Sequence, residues 1–220
     1  MKEKPKSASA SLPSLRGVGT RSAILSAAAR SFARAGLAGA RTEAIASAAG
    51  VNKAMLYYYF KSKELLYAAV LESHLKEFHR RAMEVLAEKG SARSTVLRFV
   101  ETHFDFIGSQ RDYPVLFQRM MMTDARRGAR LLRKYLAPVS RKLFDVIQRG
   151  QRTREFRPLD SRHAVISLVG LNVFYFSTAP VMRLVTRSDP YSAANLKHRK
   201  DEVIEFVRYG LFRDPEGPVS

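Results

Sequence analysis

From about Thr20 to Leu211, apolar residues return every three or four positions, and no stretch alternates in steps of two long enough to make a strand. That period confines the chain to an all-α fold, since a helix buries one apolar stripe whereas a strand buries every second residue. Ile24, Leu25, Ala28 and Phe32 share one face of a first helix, which Thr20 is placed to cap and Gly36 to end. Thr42 is placed to cap a short second helix carrying Ile45, Ala46 and Ala49 and stopped by Gly50. Asn52 caps a third running to about Phe60, and Ser62 a fourth. The fourth extends to about Lys89, with Leu71, Leu75, Phe78, Ala82 and Val85 along one stripe. Further helices are expected over 91–108, 113–123 and 125–153, the last interrupted by Pro138. Asp160 caps the next, and Val203, Ile204, Val207 and Leu211 form one face of the final helix. The domain organisation follows: a disordered basic tail at 1–19, a three-helix block at 20–66, a larger helical domain at 67–213 and a short tail at 214–220.

Charge is the strongest compositional signal, with 38 Lys/Arg against 20 Asp/Glu and a formal net charge of +18. Such a field draws polyanions, with nucleic acid and anionic membrane the natural candidates. The excess lies in two regions. Residues 1–65 hold 11 basic and 3 acidic residues, and residues 111–157 hold 13 and 4. The absence of cysteine excludes disulfides, thiolate metal sites and cysteine nucleophiles, and suits a reducing compartment such as the cytoplasm. Residues 1–41 share the Arg- and Ser-rich, acid-poor look of a transit peptide, but the helix signals explain the same residues better. Residues 164–182, AVISLVGLNVFYFSTAPVM, carry no charge and are just long enough to span a bilayer. Ser167, Gly170, Asn172 and Pro180 favour instead a helix buried in a bundle or between subunits, so no membrane partner is expected.

The most informative run is TEAIASAAGVNKAMLYYYF at 42–60. Two short helices meet at Gly50, Ala46 is small enough for close helix contact, and Val51 and Leu56 supply apolar contacts between the pair. This is helix-turn-helix spacing, in which the second helix enters the DNA major groove. By 100° steps, Leu56, Tyr59 and Phe60 fall on the inward side of the third helix. Tyr57, Ala54 and Tyr58 fall outward, with Lys53 and Met55 on the flanks. Residues nearest the N-terminus of a recognition helix reach deepest, which makes Lys53, Ala54 and Met55 the expected base readers. The phenols of Tyr57 and Tyr58, and the ammonium of Lys63, suit phosphate oxygens.

The run T42-E-A-I-A-S-A-A-G-V-N-K-A-M-L-Y-Y-Y-F-K-S-K-E-L, and above all its ending L56-Y-Y-Y-F-K-S-K-E-L-L66, resembles the DNA-binding domain of the TetR family of bacterial transcriptional regulators. The resemblance covers residues 20–66. It implies a homodimeric repressor that binds a palindromic double-stranded DNA operator and is released by an unknown small-molecule effector. Carried over by position, Thr42 contacts phosphate, Asn52, Lys53, Ala54 and Met55 face bases, and Tyr57, Tyr58 and Lys63 hold the backbone; Arg41 completes the set. Met55 stands where Thr is frequent in the family. The resemblance also implies dimerisation through residues 160–180 and 195–212.

Within the larger domain, Phe99, His103, Phe106, Met120, Met121, Phe144 and Phe174 are the candidates to line a pocket for an apolar ligand. His103 and Asp105 diverge on a helix and make no catalytic pair. His74, His79, His163 and His198 lack metal-ligand spacing. The cluster Arg126, Arg127, Arg130, Arg133, Lys134, Arg141 and Lys142 reads either as a solvated face or as an electrostatic surface for DNA or an anionic ligand. With no Gly-rich phosphate loop, nucleophile elbow or paired carboxylates, an enzyme is not expected. The alternative to a regulator is an architectural DNA-binding protein without an effector.

Overall fold

In the computed structural model, which describes residues 15–123 and 125–217 and the side chains of 19–122 and 128–217, helix follows helix. Among the described residues there is no strand, only one antiparallel bridge between Phe156 and Phe212, whose rings stack 5.5 Å apart. The chain divides into two units, one ending at Val70 and the other beginning at Leu71.

The N-terminal unit is built on α1 (Leu15–Gly39), α2 (Thr42–Ala48), α3 (Lys53–Phe60) and the start of α4 (Lys63–Ala87). Its core is the expected stripe: Ile24, Ala28, Phe32, Ile45, Ala46, Leu56, Phe60 and Leu66 are all buried. The ring of Phe32 meets Tyr67 edge-on at 5.1 Å. Helix α1 starts at Leu15, so Thr20 lies inside it and not at its start; residues 15–19, expected as tail, belong to the helix. No proline intervenes after Pro13, and Gly17 and Gly19 cost helix stability without forbidding it. The remainder of the expected N-terminal tail, 1–14, lies outside the described residues, as do 218–220 of the C-terminal one. Gly36 departs from helical geometry at φ 68°, where a side chain would be strained, and bends the end of α1.

The C-terminal unit adds α5 (Ala92–Ser109), α6 (Tyr113–Thr123), α7 (Ala125–Leu131), α8 (Ala137–Arg152), α9 (Ser161–Ser177), α10 (Ala179–Thr186) and α11 (Ala193–Leu211). Ser91, Asp160 and Ser192 each cap a helix through a side-chain oxygen. Helix α5 is central, packed against α8, α9 and α11, with Phe99, Phe104, Phe106 and Ile107 buried among Leu143, Ile147, Phe176, Val203 and Val207. The interruption expected at Pro138 takes the form of a π-helical turn, Leu132–Leu136, just ahead of it. Proline has no N–H to offer the carbonyl four residues back, and a widened turn absorbs the mismatch. The uncharged stretch is not one helix: α9 and α10 meet at a bend of 57°. Among the described residues no single helix is long and apolar enough to cross a membrane.

Candidate nucleic-acid interface

Helices α2 and α3 are joined by a turn that only a few residue types can make. Gly50 sits at φ 68°, and the N–H of Val51 returns to the carbonyl of Ala46 at 3.0 Å, closing the turn against the small residue. Asn52 then starts α3, its Oδ1 accepting from the N–H of Met55 at 2.8 Å. At the far end Ser62 caps α4 by accepting from Leu65 N at 3.1 Å. Thr42 is different. The residue at the cap of α2 is Arg41, without a side-chain cap bond, and Thr42 is the first helical residue. Its hydroxyl is turned toward the phenol of Tyr57, 3.4 Å away, so it ties α2 to α3 instead of capping.

This framework fixes what α3 shows to solvent. Leu56 and Phe60 are buried, whereas Lys53, Ala54 and Met55 are exposed and Tyr58 is 69% exposed. Tyr57 and Tyr59 are both half-buried. Tyr59 was expected fully inside; it lies at the border of the inward face, edge-on to Tyr58 at 5.4 Å and tilted against Phe60 at 6.3 Å. The three consecutive tyrosines thus divide between an anchored ring, a border ring and an exposed one.

Beside this face lies a concavity of about 460 Å³, lined among others by Arg41, Thr42, Tyr57, Ser62 and Lys63. The Lys63 ammonium donates to the carbonyls of Ala38 and Ala40 at 3.2 and 3.3 Å. Two of its three hydrogens therefore hold the α1–α2 turn, and one remains for an anion. This ammonium, with a guanidinium and three hydroxyls around a shallow opening, offers donors to a phosphate oxygen, beside the carboxylates of Glu43 and Glu64. Arg41 is exposed at the rim.

Two charged residues escaped the sequence reading of this surface. Glu43, in the first turn of α2, forms an ion pair with Lys53 across the turn. The hydrogen bond between them is the main reason Glu43 is held below its ordinary value and Lys53 above it, so Lys53 stays cationic. The pair is exposed and readily exchanged for another partner. Lys61, at φ 61°, ends α3 and carries its ammonium 5.4 Å over the Tyr58 ring. An acid ten residues from its partner gives no periodic signal, and a positive φ at lysine has no sequence signature.

The residues proposed to line a ligand pocket do not all converge. Phe99, His103, Phe106 and Met120 are buried and Phe144 is partly buried. Phe78 bridges three of them, its ring 6.4, 4.9 and 5.4 Å from Phe99, His103 and Phe106. Met121 is 47% exposed because it follows buried Met120 by a 100° step, and Phe174 is 71% exposed on the outer face of α9. Neither lines an interior site within one chain. In the second basic region Arg130, Arg133, Lys134, Arg141 and Lys142 are exposed, with Lys134 paired to Glu72 at 2.7 Å; the side chains of Arg126 and Arg127 lie outside the described residues. Among the described residues no group of three or more His, Cys, Asp or Glu is placed to hold a metal.

A three-helix unit that caps and presents α3 in this way, ahead of a larger helical unit, defines a helix-turn-helix regulator of transcription. Residues 24–70 match the family of bacterial regulatory proteins named for tetR, and residues 93–207 match the tetracyclin repressor-like C-terminal domain. The chain belongs to the TetR family. It is similar to the HTH-type transcriptional regulator RutR of Escherichia coli K12, 29% identical over 194 residues, or 84% of this chain and 89% of that one. Among solved structures it resembles the ketosteroid transcriptional regulator KstR2 of Mycobacterium tuberculosis, with a TM-score of 0.72, 19% identity and coverage of 88% of this chain and 95% of that one. It also resembles the regulator FadR of Bacillus subtilis, solved with stearoyl-CoA, at a TM-score of 0.67, 21% identity and coverage of 84% and 96%. Its relatives regulate transcription, and its activity is DNA binding, not catalysis.

Proposed function

We propose that the protein is a cytoplasmic repressor that binds a palindromic operator as a homodimer and releases it when a small, largely apolar effector enters the C-terminal unit. The observation that carries this reading is the outward face of α3, where Lys53, Ala54, Met55 and Tyr58 stand exposed beside the donor-lined concavity. Lys53 exchanges Glu43 for a base edge, Ala54 and Met55 meet thymine methyls, and Arg41, Thr42, Tyr57, Tyr58 and Lys63 hold the backbone.

Dimerisation is supported by the opposite end of the chain. Ile166 and Phe174 on α9 and Phe206 and Tyr209 on α11 are more than half exposed, and an apolar groove of about 330 Å³ between the helices is lined by Ser167, Leu171, Phe206 and Gly210. Small residues at Ser167 and Gly170 permit close approach of a second copy, and a homodimer carries two copies of α3, one for each half of a palindrome. The effector is supported by the FadR neighbour, which was solved with a ligand.

Selection of bound sequences from a random duplex pool tests the reading. The expected product is an inverted repeat, with half-sites about one helical turn apart. Retention of all sequences alike would instead make the protein an architectural binder.

A further inference from the structure

The interior of the C-terminal unit contains one polar arrangement that packing alone does not explain. Asn172 on α9 is 0% exposed. Its amide nitrogen donates to the carbonyl of Val100 at 3.0 Å and lies 3.4 Å from Nδ1 of His103. The amide cannot be turned over, because exchanging its ends would set Oδ1 against the Val100 carbonyl, acceptor against acceptor. His103 must then accept at Nδ1, which places the ring hydrogen on Nε2. Burial holds this imidazole down at about 4, so it is neutral at physiological pH.

That leaves Oδ1 of Asn172 as a buried acceptor with no donor among the described residues. A carbonyl oxygen stripped of water and left unpaired is costly, so each such group in a folded protein calls for an explanation. Around the His103 partner stand aromatic rings: Phe78 lies 4.9 Å from its ring and Phe99 stacks on it at 6.0 Å. A lone acceptor within an apolar, aromatic surround is the ordinary composition of a small-molecule site.

We propose that Asn172 is the polar anchor of the effector site, and that the effector is an apolar-bodied molecule that donates one N–H or O–H to Asn172 Oδ1. His103 is the positioning residue: it accepts from the same amide and so aims the oxygen. The inference rests on the ligand-responsive reading above and narrows it to a ligand class. A purely aliphatic or acceptor-only molecule leaves the oxygen unpaired and is rejected.

The test uses phenol and toluene, which share a ring and differ in one donor, with the full chain and millimolar probe. Titration calorimetry on the native protein is expected to show phenol bound about tenfold more tightly than toluene, the size of one hydrogen bond. The Asn172 side-chain amide resonance should shift with phenol alone. Asn172→Leu, checked for helix content by circular dichroism, should remove the preference. If that variant does not fold, His103→Phe with Asn172→Leu replaces both polar groups together and should do the same. Equal affinity for the two probes, no binding of either, or an unchanged preference in the variants would overturn the proposal. Selection of duplex DNA by the same preparation separates the two levels. DNA selected without a phenol preference retires the anchor alone, while no DNA selected retires the regulator reading beneath it.

Discussion

Helices α3 and α9 each leave a face that their own unit does not cover, and the two faces are chemical opposites. Helix α3 follows the usual rule, with Leu56 and Phe60 inside and Lys53 and Tyr58 outside. Helix α9 inverts part of it: Ile166 and Phe174 are exposed, while the polar Asn172 is buried. A face of phenols and ammonium groups remains content in water and binds a hydrated, charged partner by exchange. A face of phenylalanine and isoleucine beside Gly170 loses free energy in water, about 25 cal/mol for each Å² of apolar surface, until another apolar surface covers it. The contrast teaches that one chain carries two kinds of unfinished surface, one suited to a hydrated, charged partner and one to an apolar partner. The buried side of α9 adds a third incomplete group, the Asn172 acceptor, which has no donor among the described residues.

The comparison breaks most visibly if the apolar face is charged. Phe174→Glu with Phe206→Glu should leave helix content intact, since both side chains are exposed, yet yield a monomer in light scattering. Operator affinity should then fall about a hundredfold or more, as simultaneous engagement of two half-sites is lost. A variant that stays dimeric would remove α9 and α11 from the interface.

Next in size is the residue on α5 that the buried side of α9 meets, His103. His103 titrates near 4 in the fold against 6.5 in the open chain, so the unfolded state takes up the proton first as pH falls. The stability this residue lends is complete above about 6.5 and is lost on descending toward 4. By pH 4.5 the loss should reach about 2–3 kcal/mol. Urea denaturation at pH 7 and 4.5 should show that excess sensitivity in the native chain and not in His103→Gln. Burial of His74 acts in the same direction and is common to both proteins.

The polar face gives smaller effects. Tyr58→Ala should weaken binding to every DNA sequence by about tenfold while leaving the salt dependence unchanged, because a phenol releases no counterion. A change confined to one sequence would move Tyr58 from backbone to base. Smaller still, Glu43→Gln frees Lys53 and should raise affinity a few-fold in low salt, with little change at high salt. Equal affinities at both salt concentrations would show that the ion pair does not compete with DNA.

Much of the recognition unit was legible because its signals are local. Asn52, Gly50 and Ser62 act on backbone groups within a few residues, and Leu56 and Phe60 follow the helical period. Where a side chain is claimed by a distant partner, the local rule gives way. Thr42 has the right chemistry for a cap, but its hydroxyl is taken by Tyr57, fifteen residues on. Glu43 and Lys53 meet only because the turn brings α2 and α3 together. In the C-terminal unit the decisive contact joins residues 69 apart, His103 and Asn172, and no period announces it. Phe174 was assigned inward because it is aromatic, whereas helical phase places it with Ile166 and Gly170 on the outer stripe. Composition names the side chains suited to a pocket; only the packing says which of them face one.

The central claim is that the exposed start of α3 reads DNA. Parallel selection from a random duplex pool with the native protein and Lys53→Ala tests it most directly. The expected result is an inverted repeat for the native chain and, for the variant, altered preference at one symmetric position in each half-site with the spacing kept. The same motif from both proteins, or no enrichment from either, would contradict it.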